Sequence, residues 1–102
     1  RYSGYAGPVY DVWEGDNKVY VIAELPGASE KDVSVEIVPY MVRIISEAKG
    51  NHRYYKNIRL PAPVKKEPIA KTFKNGVLEL ILEKDLTYSM REYPRRKRIE
   101  VK

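Results

Sequence analysis

His52 is the only histidine in the chain and cysteine is absent, so the residue types that most often bind metals or attack substrates are nearly missing. A metal site needs three or four converging ligands. One imidazole in the charged turn Lys49-Gly50-Asn51-His52-Arg53 does not supply them, and His52 reads as a solvated side chain. Without thiols there is no disulfide and no thiolate nucleophile, which fits a reducing compartment and a cytoplasmic location. No Gly-rich Walker pattern is present to cradle a nucleotide phosphate. The 14 Asp and Glu residues alternate with apolar residues along short segments, where carboxylates solvate a strand face rather than form an acid–base pair. The expectation is therefore no catalytic residue, no cofactor and no metal.

The remaining chemical feature is the basic run Pro94-Arg95-Arg96-Lys97-Arg98. Such a run can contact nucleic acid or a membrane surface. No aromatic residues are interleaved to stack on bases, so it reads as a solvated spacer. The net charge of +5 is uneven: residues 91–102 hold six Lys/Arg against two Asp/Glu, and residues 1–90 hold thirteen against twelve. A nearly neutral body with a basic tail lacks the general footprint of a nucleic-acid binder. No apolar run approaches the roughly 18 residues of a membrane span. Neither nucleic acid nor membrane is expected as a partner.

The elements that position these residues are strands. Lys74-Asn75-Gly76-Val77-Leu78-Glu79-Leu80-Ile81-Leu82-Glu83-Lys84 opens on Asn-Gly, the strongest two-residue turn signal, and continues as an almost unbroken apolar run of strand length. That pattern predicts the middle of a sheet, covered on both faces. Before it, residues 1–8 read as a flexible lead-in, the remnant of a longer N-terminal arm, since the chain starts at Arg1. Val9–Glu14 is a short strand, and Lys18–Leu25 is a firmer one with Val19, Val21 and Ala23 on one face. Pro26-Gly27 ends that strand, and Ser29 is a candidate cap for a single helical turn before Val33–Ile37. Pro39-Tyr40 is a hairpin corner, Met41–Ala48 the next strand, and Tyr54–Leu60 a weaker one closed by Pro61-Ala62-Pro63. A surface loop then leads to Ile69–Phe73. Seven or eight short strands with turns between them and no amphipathic helix predict an all-β sandwich.

Taken together, these residues resemble the α-crystallin domain of small heat shock proteins, the Hsp20 family, of the archaeal or bacterial type. The resemblance rests on Pro8-Val9-Tyr10-Asp11-Val12, on Ala23-Glu24-Leu25-Pro26-Gly27 followed by Lys31-Asp32-Val33-Ser34-Val35, on Ile58-Arg59-Leu60-Pro61, and on Lys74-Asn75-Gly76-Val77-Leu78. It implies an immunoglobulin-like sandwich over residues 9–84 and a flexible C-terminal extension over 85–102. The family carries an apolar pair separated by one residue on that extension, which falls on Ile99-Glu100-Val101. In extended chain, residues i and i+2 point the same way, so Ile99 and Val101 form a two-pronged plug. Burying both gives about 3–6 kcal/mol gross, offset largely by ordering the tail. The resemblance implies that the plug enters a groove between Val33–Ile37 and Ile69–Phe73, lined by Val33, Val35, Ile37, Ile69 and Phe73.

Four departures from the family pattern stand out. Lys71 replaces an alanine, Tyr40 replaces a corner glycine, and Lys56 replaces an arginine usual near a dimer interface; lysine lacks the planar fork for bidentate pairing. Only residues 49–53 separate Ala48 from Tyr54, where relatives carry a long loop whose extra strand is exchanged with a partner. So short a link cannot reach a partner and pair there, which predicts a homo-oligomer built from dimers formed by another route. The resemblance implies an ATP-independent holdase that binds partly unfolded proteins. A co-chaperone-like sandwich with one defined partner and a basic-tailed nucleic-acid-binding module are the alternatives.

Overall fold

Strands form where branched and aromatic residues alternate with polar ones, because those side chains fit a half-buried pleated surface. The computed structural model describes residues 4–47 and 53–88. Its strands are β1 (Val9–Glu14), β2 (Lys18–Glu24), β3 (Val33–Val38), β4 (Met41–Ser46), β5 (Tyr54–Arg59), β6 (Ala70–Lys74) and β7 (Val77–Glu83). They form two antiparallel sheets, ordered β1-β2-β7-β6 and β3-β4-β5. A 3-10 turn at Glu30–Asp32 leads into β3. Ser29 precedes that turn, but its hydroxyl donates to the Asp32 carboxylate at 2.8 Å rather than accepting from a backbone amide.

Two-residue turns close the β3–β4 and β6–β7 hairpins, as Asp16-Asn17 does between Gly15 and Lys18. Pro39-Tyr40 separates Val38 from Met41, which are register partners. Asn75-Gly76 separates Lys74 from Val77, and both turn residues have positive φ, 53° and 78°, as a type I′ turn requires. β4 and β5 also pair directly, with Ser46 opposite Tyr54. Residues 48–52 between them, His52 included, lie outside the described residues.

The core forms between the sheets. Val19, Val21 and Ala23 of β2 and Leu78, Leu80 and Leu82 of β7 pack in one buried cluster with Val42 and Ile44 of β4 and Ile58 of β5. β7 lies inside its sheet, as the sequence predicts, but the expected cover on both faces is absent among the described residues. Val77 and Ile81 are half-buried and Glu79 is exposed. A sandwich has only two layers, so the apolar run of β7 supplies a core face and also part of an outer face. On that outer face Trp13 stacks on Tyr20, with ring centroids 5.7 Å apart, and Tyr20 is the register partner of Ile81. The outer face of the other sheet is polar. There Arg43 pairs with Glu36 at 3.4 Å and donates to Asn57 at 3.1 Å, and Asn57 donates to the Tyr55 hydroxyl at 3.1 Å.

Residues 4–8 differ from the flexible lead-in that their composition predicts. Ala6 pairs in parallel with Tyr54; its amide donates to the Arg53 carbonyl at 2.8 Å and its carbonyl accepts from Tyr55 at 3.0 Å. The Tyr5 hydroxyl donates to Glu47 at 2.8 Å, and the Arg53 guanidinium lies 4.9 Å from the Tyr5 ring centroid. That carboxylate acceptor holds the Tyr5 phenol above its usual pKa. Pro8 is buried, and the chain then joins the other sheet as β1. The segment is thus a strap from the edge of β5 to the edge of β2. Its small residues hid this, because the pairing uses backbone rather than side-chain pattern.

Candidate functional site

β3 and β6 are edge strands of different sheets, and the register fixes which of their backbone groups are unpaired. Leu60 donates to the Tyr40 carbonyl at 2.8 Å, so even-numbered residues of β4 face β5 and odd-numbered ones face β3. In an antiparallel ladder the outward-facing residues alternate with the paired ones. Val33, Val35 and Ile37 therefore turn their N–H and C=O groups away from β4, and the Val33 N–H is taken by the Glu30 carbonyl. The same alternation from the Asn75-Gly76 turn leaves Lys71 and Phe73 as the outward residues of β6. Register partners share a face of a sheet. Val35 lies opposite buried Ile44 and Ile37 opposite buried Val42, so these residues offer an apolar side chain inward and an open edge sideways. That combination is what strand addition uses.

A cleft of about 770 Å³ opens beside β3, with Val35, Ile37, Val64, Pro68, Lys71 and Tyr88 in its lining. Val35 and Ile37 thus occupy the surface where the sequence reading places a groove. Val33 and Phe73 pack as partly buried residues against the core and do not line the cleft. Ile69 is 51% exposed just before β6, with its amide bonded to the Ile81 carbonyl. Lys71, at the position of the family's alanine, brings a long cationic side chain to the wall.

Val64 and Tyr88 are lining residues that strand patterning missed. Val64 is buried and forms an isolated bridge to Lys84, and its amide donates to the Pro39 carbonyl at 2.8 Å. Its signal was a lone branched residue between Pro63 and Lys65. Tyr88 meets the Tyr40 ring edge-on at 5.8 Å, an interaction between residues far apart in sequence that no local pattern reveals.

The other expected residues are elsewhere. Ile99 and Val101 lie outside the described residues. Lys56 is half-buried on β5, with its Nζ 5.4 Å from the Tyr10 ring centroid, on the side of the sandwich where β1 and β5 are the edges. Among the described residues no group of three or more His, Cys, Asp or Glu is arranged to hold a metal ion. None of their helices is long and apolar enough to cross a membrane.

The sequence model of the Hsp20/alpha crystallin family matches residues 11–102. The chain is 30% identical over 109 aligned positions to a probable 15 kDa heat shock protein of Leptospira interrogans, covering 93% of this chain and 78% of that one. It is also 30% identical to small heat shock protein C2 of Rickettsia felis, covering 93% and 68%. Among solved structures, heat shock protein 16.0 from Schizosaccharomyces pombe superposes with a TM-score of 0.69 at 25% identity, over 83% of this chain and 71% of the other. A variant of hsp14.1 from Sulfolobus solfatataricus P2 gives the same TM-score at 23% identity, over 80% and 75%, a likeness of fold.

Proposed function

Because the chain belongs to the Hsp20/alpha crystallin family, we propose that it covers apolar surface on partly unfolded proteins and keeps them from associating, through open sheet edges and the cleft beside β3. Small heat shock proteins are chaperones that work without ATP, form oligomers and bind unfolded proteins generally, and they are not enzymes. Binding an aggregation-prone state slows its association without refolding it. The observation that carries the reading is the coincidence, at Val35 and Ile37, of inward apolar side chains with unpaired edge backbone.

The cleft is the proposed receiver for Ile99 and Val101 of another subunit. Docking them hides it, and warming frees it, since a two-residue plug is weak alone and strengthened by multivalency in an assembly. The basic run 94–98 is the spacer that keeps the plug in water. Subunits dimerise without strand exchange, because β4 and β5 are joined by too short a link; Lys56 on β5 is the proposed interface residue. The cytoplasm is the proposed location, in keeping with a chain that has no cysteine.

The test is aggregation of a heat-labile client, followed by light scattering with and without the full chain and with no ATP present. Delayed scattering is expected; an unchanged aggregation rate at molar excess of the chain overturns the reading.

A further inference from the structure

We propose that the outer edge of β1 is a second strand acceptor, selective for extended client segments in which Lys or Arg alternates with apolar residues. This rests on the reading of the chain as a holdase, and it names a different surface from the cleft.

The edge is defined by register. Gly15 donates to the Lys18 carbonyl at 2.8 Å and closes the β1–β2 hairpin as a bonded pair. By alternation Val9, Asp11 and Trp13 face β2 with their backbone groups, and Tyr10, Val12 and Glu14 face outward. Val9, Tyr10 and Trp13 are 70%, 42% and 50% exposed, so a strand laid along this edge gains apolar neighbours as well as backbone bonds. The N-terminal strap covers the start of the neighbouring β5 edge through Ala6, and β1 has no equivalent cover among the described residues.

Asp11 sets the selectivity. Its Oδ1 accepts the Val12 amide at 3.0 Å, so the outward donor at the middle of the strand is already occupied by a carboxylate. An incoming carbonyl has to displace it. A strand with Lys or Arg beside Asp11 offers the released carboxylate a cation; a neutral or acidic strand offers nothing in return. Asp11 carries this preference by itself: Glu14 is paired with Lys84, and the Lys56 Nζ lies 5.4 Å from the Tyr10 ring centroid. Asp11 also disfavours β1 of a second copy, since like charges set against each other destabilise a pair of strands.

Trp13 is the only tryptophan and lies on this edge, so its emission reports occupancy directly. The experiment titrates the full chain with a blocked peptide alternating Lys and Val, and with its Glu-for-Lys twin, reading Trp13 emission and amide exchange at Tyr10 and Glu14. The Lys peptide is expected to shift the emission and protect both amides, with about tenfold tighter binding than the twin at low salt and a smaller ratio as salt rises. D11A is expected to bring the two peptides within about twofold of each other. Tyr10→Pro removes an outward N–H but no β1–β2 bond, and should abolish binding. Because that variant can disturb the strand, the unaltered chain is also titrated with a Lys-Val peptide N-methylated at every residue, which has no N–H left on either edge and should not bind.

Equal binding of the twins to the unaltered chain, tight binding of the N-methylated peptide, or no response at Trp13 each overturns the proposal. So does a Trp13 shift that follows chain concentration without peptide, which would assign the edge to a second copy. The heated-client assay on the same samples separates the two readings: suppression with a silent edge leaves the holdase and removes the acceptor, whereas peptide binding without suppression does the reverse.

Discussion

The amide of Leu25 donates to the carbonyl of Gly76 at 2.6 Å, fastening the end of β2 to the turn that launches β7. The two most specific stretches of the sequence, Ala23–Gly27 and Lys74–Leu78, are thus two sides of one junction. The Tyr54 hydroxyl donates to the Pro26 carbonyl at the same place, so β5 of the opposite sheet is tied to it as well.

Gly76 is constrained twice there. Its φ is +78°, and an added Cβ would stand 3.3 Å from the Leu25 carbonyl oxygen. Gly76→Ala is expected to cost about 1–2 kcal/mol, the penalty for a side chain in left-handed backbone. Urea unfolding should show a lower midpoint with an unchanged slope; an unaltered midpoint would remove this account of the junction.

Ser46 is buried among apolar residues, and its hydroxyl has no hydrogen-bond partner among the described residues. Replacing it with alanine removes an uncompensated polar atom, so Ser46→Ala is expected to stabilise the fold by up to about 1 kcal/mol. Calorimetry should show a higher Tm, and a drop of several degrees would mean that the hydroxyl has a partner.

The strands were largely legible because side-chain period reports burial directly. Val19, Val21 and Ala23 alternate, and all three are buried. Asn75-Gly76 named its own turn. Interactions made by backbone or across long sequence distances were not legible: the Ala6–Tyr54 pairing, the Tyr40–Tyr88 contact and the burial of Val64 leave no local period. The apolar run of β7 misled for a related reason, since periodicity tells which residues avoid water but not how many layers cover them. Of the five expected groove residues, Val35 and Ile37 line the cleft and Val33, Ile69 and Phe73 do not; alternation on β3 marks the apolar face that Val33, Val35 and Ile37 share but not which of them borders open space.

The strap has its own signature. Ala6→Pro removes the donor to Arg53 and should cost about 1 kcal/mol, the net worth of one backbone bond. The local effect is more diagnostic: the Tyr55 amide, which donates to Ala6, should exchange much faster while the amides of β7 keep their protection. Uniform loss of protection would indicate general unfolding instead.

The proposed plug is tested by removing its two teeth. Ile99→Gly together with Val101→Gly should reduce any large assembly to small units while far-UV circular dichroism keeps its β signature. An assembly of unchanged size in multi-angle light scattering counts against docking of the tail.

The two outer faces of the sandwich differ in character. One carries the Glu36–Arg43–Asn57–Tyr55 chain of polar contacts, and the other carries the aromatic pair Trp13–Tyr20 beside Ile81. The aromatic face is nonetheless mixed, since Glu79 also stands exposed on it. An apolar partner that settles on the Trp13–Tyr20 pair therefore meets a carboxylate within the same sheet face.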